Sequence, residues 1–169
     1  MTPRPNGSDS AHDAEPPEGH GRSRTDPRVR DGIETSFGGV TVRGRDVLVI
    51  TPAGRRRVTA LPKGGPQKGE TGEETAVREV REETGVTVQA RERLGDVSYV
   101  YRRDGRRIRK VVHYFLCTFV SGSTADHDHE VDDARWIPLE EALTALTYPG
   151  ERRLIARALA RLTPDRDRT

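Results

Sequence analysis

The chain has 169 residues, a formal net charge of +2, 33% charged residues and 32% hydrophobic residues. This length predicts one domain, and no apolar run is long enough to span a membrane as a helix. The single cysteine, Cys117, excludes an internal disulfide. It lies in an apolar run, so we expect it in the core. These features favour a cytoplasmic one-domain protein that acts away from membranes.

The two ends of the chain differ in composition from its middle. Residues 1–31 are rich in Pro, Gly, Ser, Asp, Arg and His and lack apolar periodicity, so we predict a disordered tail. Residues 32–163 form the predicted domain, and residues 164–169 form a short charged tail. Arginines in the first tail would allow nonspecific contact with nucleic acid, although a solvated leader is the favoured interpretation.

Strands come first in the predicted domain and helices come last. Apolar runs bounded by turn residues predict strands over residues 35–42, 46–51, 58–61, 86–90, 94–101, 107–120 and 134–137. Asp104-Gly105 lies between two of these runs and predicts a hairpin turn. Pro138 begins a short predicted helix, Tyr148-Pro149-Gly150 breaks it, and residues 151–162 form an amphipathic helix. With a further helix over residues 73–84, this order predicts an α/β or α+β fold with a mixed sheet covered by helices.

The predicted helix over residues 73–84 carries an acidic face. Glu79, Glu82 and Glu83 are spaced i, i+3 and i+4, so their side chains fall in a sector roughly 100° wide. Thr71 and Glu74 before this face have capping-box spacing, and the glycine at position 85 suits a helix C′ residue. Adjacent like charges repel, and a hard divalent cation would neutralise them. A solvated acidic face is the alternative interpretation.

The segment 64–86 resembles a known signature. It fits G-x5-E-x7-R-E-U-x-E-E-x-G-U, where U is aliphatic, at every fixed position: Gly64, Glu70, Arg78, Glu79, Val80, Glu82, Glu83, Gly85 and Val86. This is similar to the Nudix box of the Nudix hydrolases, and nine defined positions make it far more specific than a short glycine motif. The resemblance implies an α/β/α sandwich with a mixed sheet flanked by helices, and hydrolysis of a phosphoanhydride in a nucleoside diphosphate linked to another moiety.

The resemblance also implies roles for individual residues. Mg²⁺ or Mn²⁺ would be held by Glu79, Glu82, Glu83 and the backbone carbonyl of Lys63, with Glu79 and Glu82 counted as catalytic. Arg78 and Glu70 would support these ligands from behind, with Arg78 orienting the carboxylates through paired N–H bonds.

A later acidic group is also expected, as a metal ligand or general base. We choose Glu130 in the loop STADHDHEVDDARW, because Glu followed by five residues and Trp resembles the dinucleoside polyphosphate branch. The other loop acids remain rivals, and His127 and His129 are weaker candidates for a base.

The lead Leu61-Pro62-Lys63-Gly64 resembles Nudix hydrolases of diadenosine polyphosphates and of some nucleoside triphosphates. The substrate-binding candidates are phosphate-contacting and base-stacking groups: Lys63, Gly64, Gly65, Arg57, Tyr99, Tyr101 and Lys110. A dinucleoside polyphosphate is the first substrate choice. The alternatives are an oxidised or ordinary nucleoside triphosphate, an RNA 5′ end, and a nucleotide-binding module without catalysis. Nucleic acid is the less favoured partner, and a homodimer is left open.

Overall fold

The computed structural model describes residues 29–30 and 32–163, so the rest of the two predicted tails lies outside the described residues. The elements are β1 (Val29–Arg30), β2 (Ile33–Arg43), β3 (Asp46–Pro52), β4 (Lys63–Gly64), α1 (Gly72–Thr84), β5 (Val86–Arg103), β6 (Arg106–Gly122), β7 (Val131–Pro138), α2 (Leu139–Ala145) and α3 (Pro149–Leu162). A single 3₁₀ turn, Thr124–Asp126, lies between β6 and β7. The pairing of β1 with β2 brings two residues of the predicted N-terminal tail into the sheet.

The strands form one seven-stranded mixed sheet. Its central order is β5-β6-β2-β3-β7, and both β1 and β4 also pair with β2. The β2–β6 pair is parallel, whereas β5–β6, β2–β3 and β3–β7 are antiparallel. A parallel pair at the centre of a sheet is typical of sheets whose two faces are covered by helices.

Two hydrophobic cores lie on opposite faces of the sheet. On one face α1 contributes Ala76 and Val80, which pack with residues of β3, β5 and β6. On the other face α2 and α3 contribute Leu139, Leu154 and Ile155 to a larger core. Cys117 is buried against α1, as expected from its apolar run. The predicted sandwich of helices around a mixed sheet is therefore confirmed.

The sequence predicts α1 closely because its ends are encoded locally. The Thr71 side chain accepts a hydrogen bond from the Glu74 amide at 3.2 Å, and the Glu74 carboxylate accepts one from the Thr71 amide at 2.9 Å. This capping box satisfies two amides at the start of the helix. Gly85 ends the helix with a φ of 76°, a left-handed conformation that favours glycine.

The predicted strand over residues 58–61 is wrong. Ala60 makes only an isolated bridge to Ile50, and the strand β4 forms two residues later, where Lys63 and Gly64 pair with β2. The backbone groups of residues 59 and 61 form hydrogen bonds with partners outside the sheet. Thr147 bonds Thr59 in both directions at 2.9 Å, and a carboxylate of α3 accepts from the Leu61 amide. These long-range contacts leave no ladder for a strand.

Two further predicted boundaries differ from the structure. The two strands predicted over residues 86–90 and 94–101 are one strand, β5, whose pairing with β6 shifts register between Ala90 and Gly95. Pro149 and Gly150 do not form a break before the last helix; they are its first turn, with Pro at a position where no amide hydrogen bond is lost. The predicted turn at Asp104-Gly105 is present between β5 and β6, with positive φ at both residues.

Candidate active site

Arg78 joins the acidic groups of the box into one network. Its guanidinium donates two hydrogen bonds to Glu70, at 2.8 and 3.0 Å, and one to the Gly65 carbonyl at 2.9 Å. The remaining nitrogen, Nη1, lies 2.9 Å from Glu79 Oε1 and 3.0 Å from Glu82 Oε2. These two carboxylate oxygens share one donor, so they lie within about 6 Å of each other. Arg78 therefore sets the relative position of α1 and the loop before it.

The network shifts the pKa values of its members in opposite directions. Paired hydrogen bonds from Arg78 lower the pKa of Glu70. Burial raises the pKa of Glu79, which is 9% exposed. The charges of Glu82 and Glu130 raise it further, while Arg78 lowers it in part. The bond to Glu70 raises the pKa of Arg78, which stays a cation. Glu79 is thus a buried carboxylate with two like charges nearby, the condition that a bound cation would relieve.

The loop before the box lies directly against α1. The Lys63 amide donates a hydrogen bond to Glu83 Oε2 at 3.0 Å. A Cβ atom built on Gly64 would lie 2.1 Å from the Glu79 carboxyl carbon, so only glycine allows this approach. The Lys63–Gly64 backbone and the carboxylates of α1 are therefore brought together from residues about 20 positions apart in the chain.

The later acidic loop is held against the end of α1. The Asp128 amide donates to the Glu82 carbonyl at 3.0 Å, and the Glu130 carbonyl accepts from the Ala53 amide at 3.0 Å. The Glu130 amide in turn donates to Asp128 Oδ1 at 3.0 Å. Glu130 is exposed, and its charge acts on Glu79. Among the loop acids, Glu130 is therefore near enough for its charge to raise the pKa of Glu79.

The chemistry of the donors fits a hard divalent cation. Glu79, Glu82 and Glu83 supply carboxylate oxygens from one helical turn, which meets the Lys63–Gly64 backbone through Glu83 and Glu79. Hard cations prefer such oxygen ligands. In the described part of the chain, no three His, Cys, Asp or Glu side chains are gathered tightly enough to form a metal cluster. The contacts above explain this spacing: Arg78 draws Glu79 and Glu82 to one side, and the Lys63 amide draws Glu83 to the other.

Space for a ligand lies on both faces of the sheet. Arg78 and Glu82 border an open groove of about 830 Å³ between α1, β5 and the 3₁₀ turn. On the opposite face of the sheet, Lys63 and Tyr99 line a cavity of about 90 Å³ with the start of α3. That second face includes three residues which the sequence did not single out: Tyr148, Glu151 and Arg153. The only local sequence feature near them is the Tyr-Pro-Gly run, which predicts the end of a helix and not a binding site.

The other substrate-binding candidates are placed differently. The Tyr101 hydroxyl bonds Glu34, a buried residue of β2, and Lys110 Nζ lies 3.5 Å from the same carboxylate. Arg103 also reaches Glu34, at 2.8 Å. Arg57 is exposed in the turn after β3. Of the predicted set, Lys63 and Tyr99 line the cavity, and Gly64 and Gly65 lie against the α1 network.

Most of the domain, including α1 and the loop before it, corresponds to a known protein family. The profile of the NUDIX domain matches residues 33–158. The chain therefore belongs to the NUDIX domain family. None of the described helices combines the length and apolar character that a membrane crossing requires.

Named relatives extend this similarity. A Mycobacterium tuberculosis protein named "Putative mutator protein MutT4" is 41% identical over 140 residues, which cover 78% of this chain and 56% of the relative. An 8-oxo-(d)GTP phosphatase of Mycolicibacterium smegmatis is 36% identical over 102 residues, covering 60% of this chain and 30% of that protein. The chain thus spans only part of the length of these two relatives.

Solved structures share the fold. The MutT mutator protein of Bacillus halodurans superposes with a TM-score of 0.62 at 26% identity, covering 74% of this chain and 81% of that one. A Caenorhabditis elegans Ap4A hydrolase superposes with a TM-score of 0.61 at 23% identity, covering 76% and 96%. The second likeness shows the common fold alone.

Proposed function

We propose that this chain hydrolyses a phosphoanhydride bond of a nucleoside triphosphate, purine triphosphates with an oxidised base included, with Mg²⁺ or Mn²⁺. The observation that carries the proposal is the meeting of the α1 carboxylates with the Lys63–Gly64 backbone, through the Glu83–Lys63 hydrogen bond and the close approach of Glu79 to Gly64. A solvated acidic face would need neither contact.

In this proposal the residues of α1 have two roles, binding the cation and orienting its ligands. Glu79, Glu82, Glu83 and the Lys63 carbonyl hold the cation, and Arg78 orients the first two. The bound cation supplies neutralisation of the charge on the phosphoryl oxygens and a more acidic water. Glu130, exposed at the edge of the site, accepts the proton of the attacking water.

The opposite face of the sheet binds the nucleoside in this proposal. Tyr99 and Tyr148 line the cavity there and offer aromatic surface to a base. The hydroxyl of Tyr148 accepts a hydrogen bond from Arg55 at 2.8 Å, which holds this ring in place. Lys63 lines the same cavity and belongs to the loop that meets α1, so it puts a positive charge between the base and the cleaved bond.

Similarity favours the triphosphate over the substrate that the sequence motif suggests. One mycobacterial relative is named as a putative mutator protein, MutT4, and the other as an 8-oxo-(d)GTP phosphatase, and both match the chain above 30% identity. A dinucleoside polyphosphate remains the second candidate, on the Leu61-Pro62-Lys63-Gly64 lead. The Ap4A hydrolase is too distant in sequence to support it. A cytoplasmic location stays a prediction from the sequence.

The test is product release from a panel of nucleotides in Mg²⁺, Mn²⁺ or EDTA. The panel contains 8-oxo-dGTP, dGTP, diadenosine tetraphosphate, ADP-ribose and a 5′-triphosphorylated RNA. We expect cation-dependent cleavage with the highest kcat/KM for a triphosphate. Preference for the dinucleotide would move the second candidate to first place. Stabilisation by a nucleotide with no cleavage of any member would overturn the proposal in favour of a binding module.

A further inference from the structure

A second buried carboxylate holds the same loop from the other face of the sheet. Glu151, in the first turn of α3, is 2% exposed. Its Oε1 accepts a hydrogen bond from the Tyr114 hydroxyl at 2.9 Å, and its Oε2 accepts one from the Leu61 amide at 3.2 Å. An ionisable group this deeply buried is costly unless its oxygens are bonded, and here both are.

The Leu61 amide is two residues before Lys63, so this bond acts on the segment that supplies the proposed carbonyl ligand. Four elements of the fold form hydrogen bonds with residues 60–63. β3 bonds Ala60 in both directions at 2.9 Å, and the Pro62 carbonyl accepts from the Gly39 amide of β2 at 3.2 Å. α3 holds Leu61 through Glu151, and α1 holds Lys63 through Glu83.

The close packing of this segment leaves it little freedom. A Cβ atom built on Gly38 would lie 2.5 Å from the Pro62 carbonyl oxygen and 2.7 Å from the Tyr114 ring. Tyr114 is itself 1% exposed. The ring that bonds Glu151 therefore also packs against the backbone of β2 beside the loop, and a shift of Glu151 would be passed to Pro62 and Lys63.

We propose that Glu151 is a positioning residue for the cation site: together with Tyr114 it fixes the Leu61–Lys63 backbone, so that the Lys63 carbonyl faces the carboxylates of α1. This inference rests on the proposed function, because it assumes that the carbonyl is a ligand. Glu151 touches neither the cation nor the reacting phosphate; it acts through the Leu61 amide. Loss of a group that orients a ligand in this way typically lowers cation affinity or activity by about 10- to 100-fold.

Two variants of Glu151 separate the hydrogen bond from the rest of the side chain. Glu151→Met removes both acceptors at similar length. Glu151→Gln keeps one acceptor for the Leu61 amide and offers its NH₂ to the Tyr114 oxygen. Ile155→Val is the matched control, since Ile155 is buried on the same helix in the same core and makes no bond to the loop.

The first readout is Mn²⁺ affinity of the EDTA-treated full chain, measured by isothermal titration without nucleotide. We expect Glu151→Met to weaken Mn²⁺ binding by about tenfold. Glu151→Gln should stay within about threefold of the original protein, and Ile155→Val should bind Mn²⁺ unchanged although its Tm falls. The second readout is kinetic: in Glu151→Met, kcat falls by about tenfold, and Glu151→Gln restores most of it.

Two results would overturn the inference. One is a folded Glu151→Met protein that binds Mn²⁺ as tightly as the original. The other is an equal loss of Mn²⁺ affinity in Ile155→Val, which would mean that any loosening of this core has the same effect. If Glu151→Met does not fold, Tyr114→Phe replaces it: it removes one of the two bonds, and unchanged Mn²⁺ affinity there would contradict the inference. A chain that binds Mn²⁺ but cleaves no nucleotide would overturn the proposed function and leave this test intact.

Discussion

The two faces of the sheet hold the Leu61–Gly64 loop with different kinds of residues. On the α1 face, Glu79, Glu83 and Arg78 come from one short stretch and meet the loop within about 20 residues. On the α3 face, Glu151 reaches Leu61 across 90 residues. The first face is encoded by local spacing and carries the acidic chemistry. The second depends on how the whole chain folds, and it provides the cavity. Position along the chain therefore separates the proposed cation ligands of this site from the cavity proposed to bind the nucleoside.

The largest effect should come from the α1 face. Glu83→Gln keeps the size of the side chain but removes the charge that both bonds the Lys63 amide and would hold the cation. We expect kcat to fall at least ~100-fold, by analogy with the loss of a charge-stabilising group. Steady-state product release in saturating Mn²⁺ measures it.

The control for this variant is Glu73→Gln, an exposed acid in the first turn of the same helix. Its kcat should stay within about twofold, because surface substitutions away from the site have small effects. Near-normal turnover in Glu83→Gln, with circular dichroism matching the original, would remove the catalytic assignment of the α1 face.

The aromatic wall of the cavity on the α3 face should affect KM more than kcat. Tyr99→Leu removes an aromatic wall of the cavity, and stacking on a base contributes about 1–3 kcal/mol. We therefore expect KM for the nucleotide to rise about tenfold, with a smaller change in kcat. Tyr101→Leu is the matched control, because that hydroxyl is bonded to Glu34 and the ring is not among those lining the cavity. Equal KM changes in both variants would contradict the division between the faces.

A smaller effect should appear in stability. Burial raises the pKa of Glu79, so its ionisation opposes folding, and stability is lost as pH rises through this raised pKa. Glu79→Gln removes this cost. In EDTA, the Tm of Glu79→Gln should exceed that of the original protein at pH 8, and the difference should shrink as pH falls below the ordinary pKa of glutamate. Thermal melts across pH measure it, and a difference independent of pH would count against the raised pKa.

The smallest effect is expected at Arg57, which is exposed in the turn after β3 and is not among the residues that line the cavity. Arg57→Ala should change kcat and KM less than twofold with a nucleoside triphosphate. A tenfold rise in KM would show that the binding surface extends beyond the cavity to this turn.

The sequence predicts the α1 face well because its signals are local. A capping box, a C′ glycine and a 3.6-residue period determine a helix and the direction of its side chains, and the loop glycines precede that helix by only a few residues. The same rules fail on the other face. No local pattern indicates that Glu151 reaches the Leu61 amide, that Tyr148 lines a cavity with Lys63, or that Glu34 would bond Tyr101 and Lys110. Those contacts join residues of distant segments, and only the packed sheet and α3 bring them together.

The most direct test of the account is Mn²⁺ binding to the EDTA-treated chain, measured by isothermal titration. The original protein and Glu73→Gln should bind Mn²⁺ alike, because Glu73 lies outside the proposed ligand set. The double variant Glu82→Gln/Glu83→Gln should lose at least about tenfold in affinity, because it removes two of the three carboxylates on one helical turn. Equal affinity in all three proteins would contradict the claim that α1 and the Lys63 loop form the cation site.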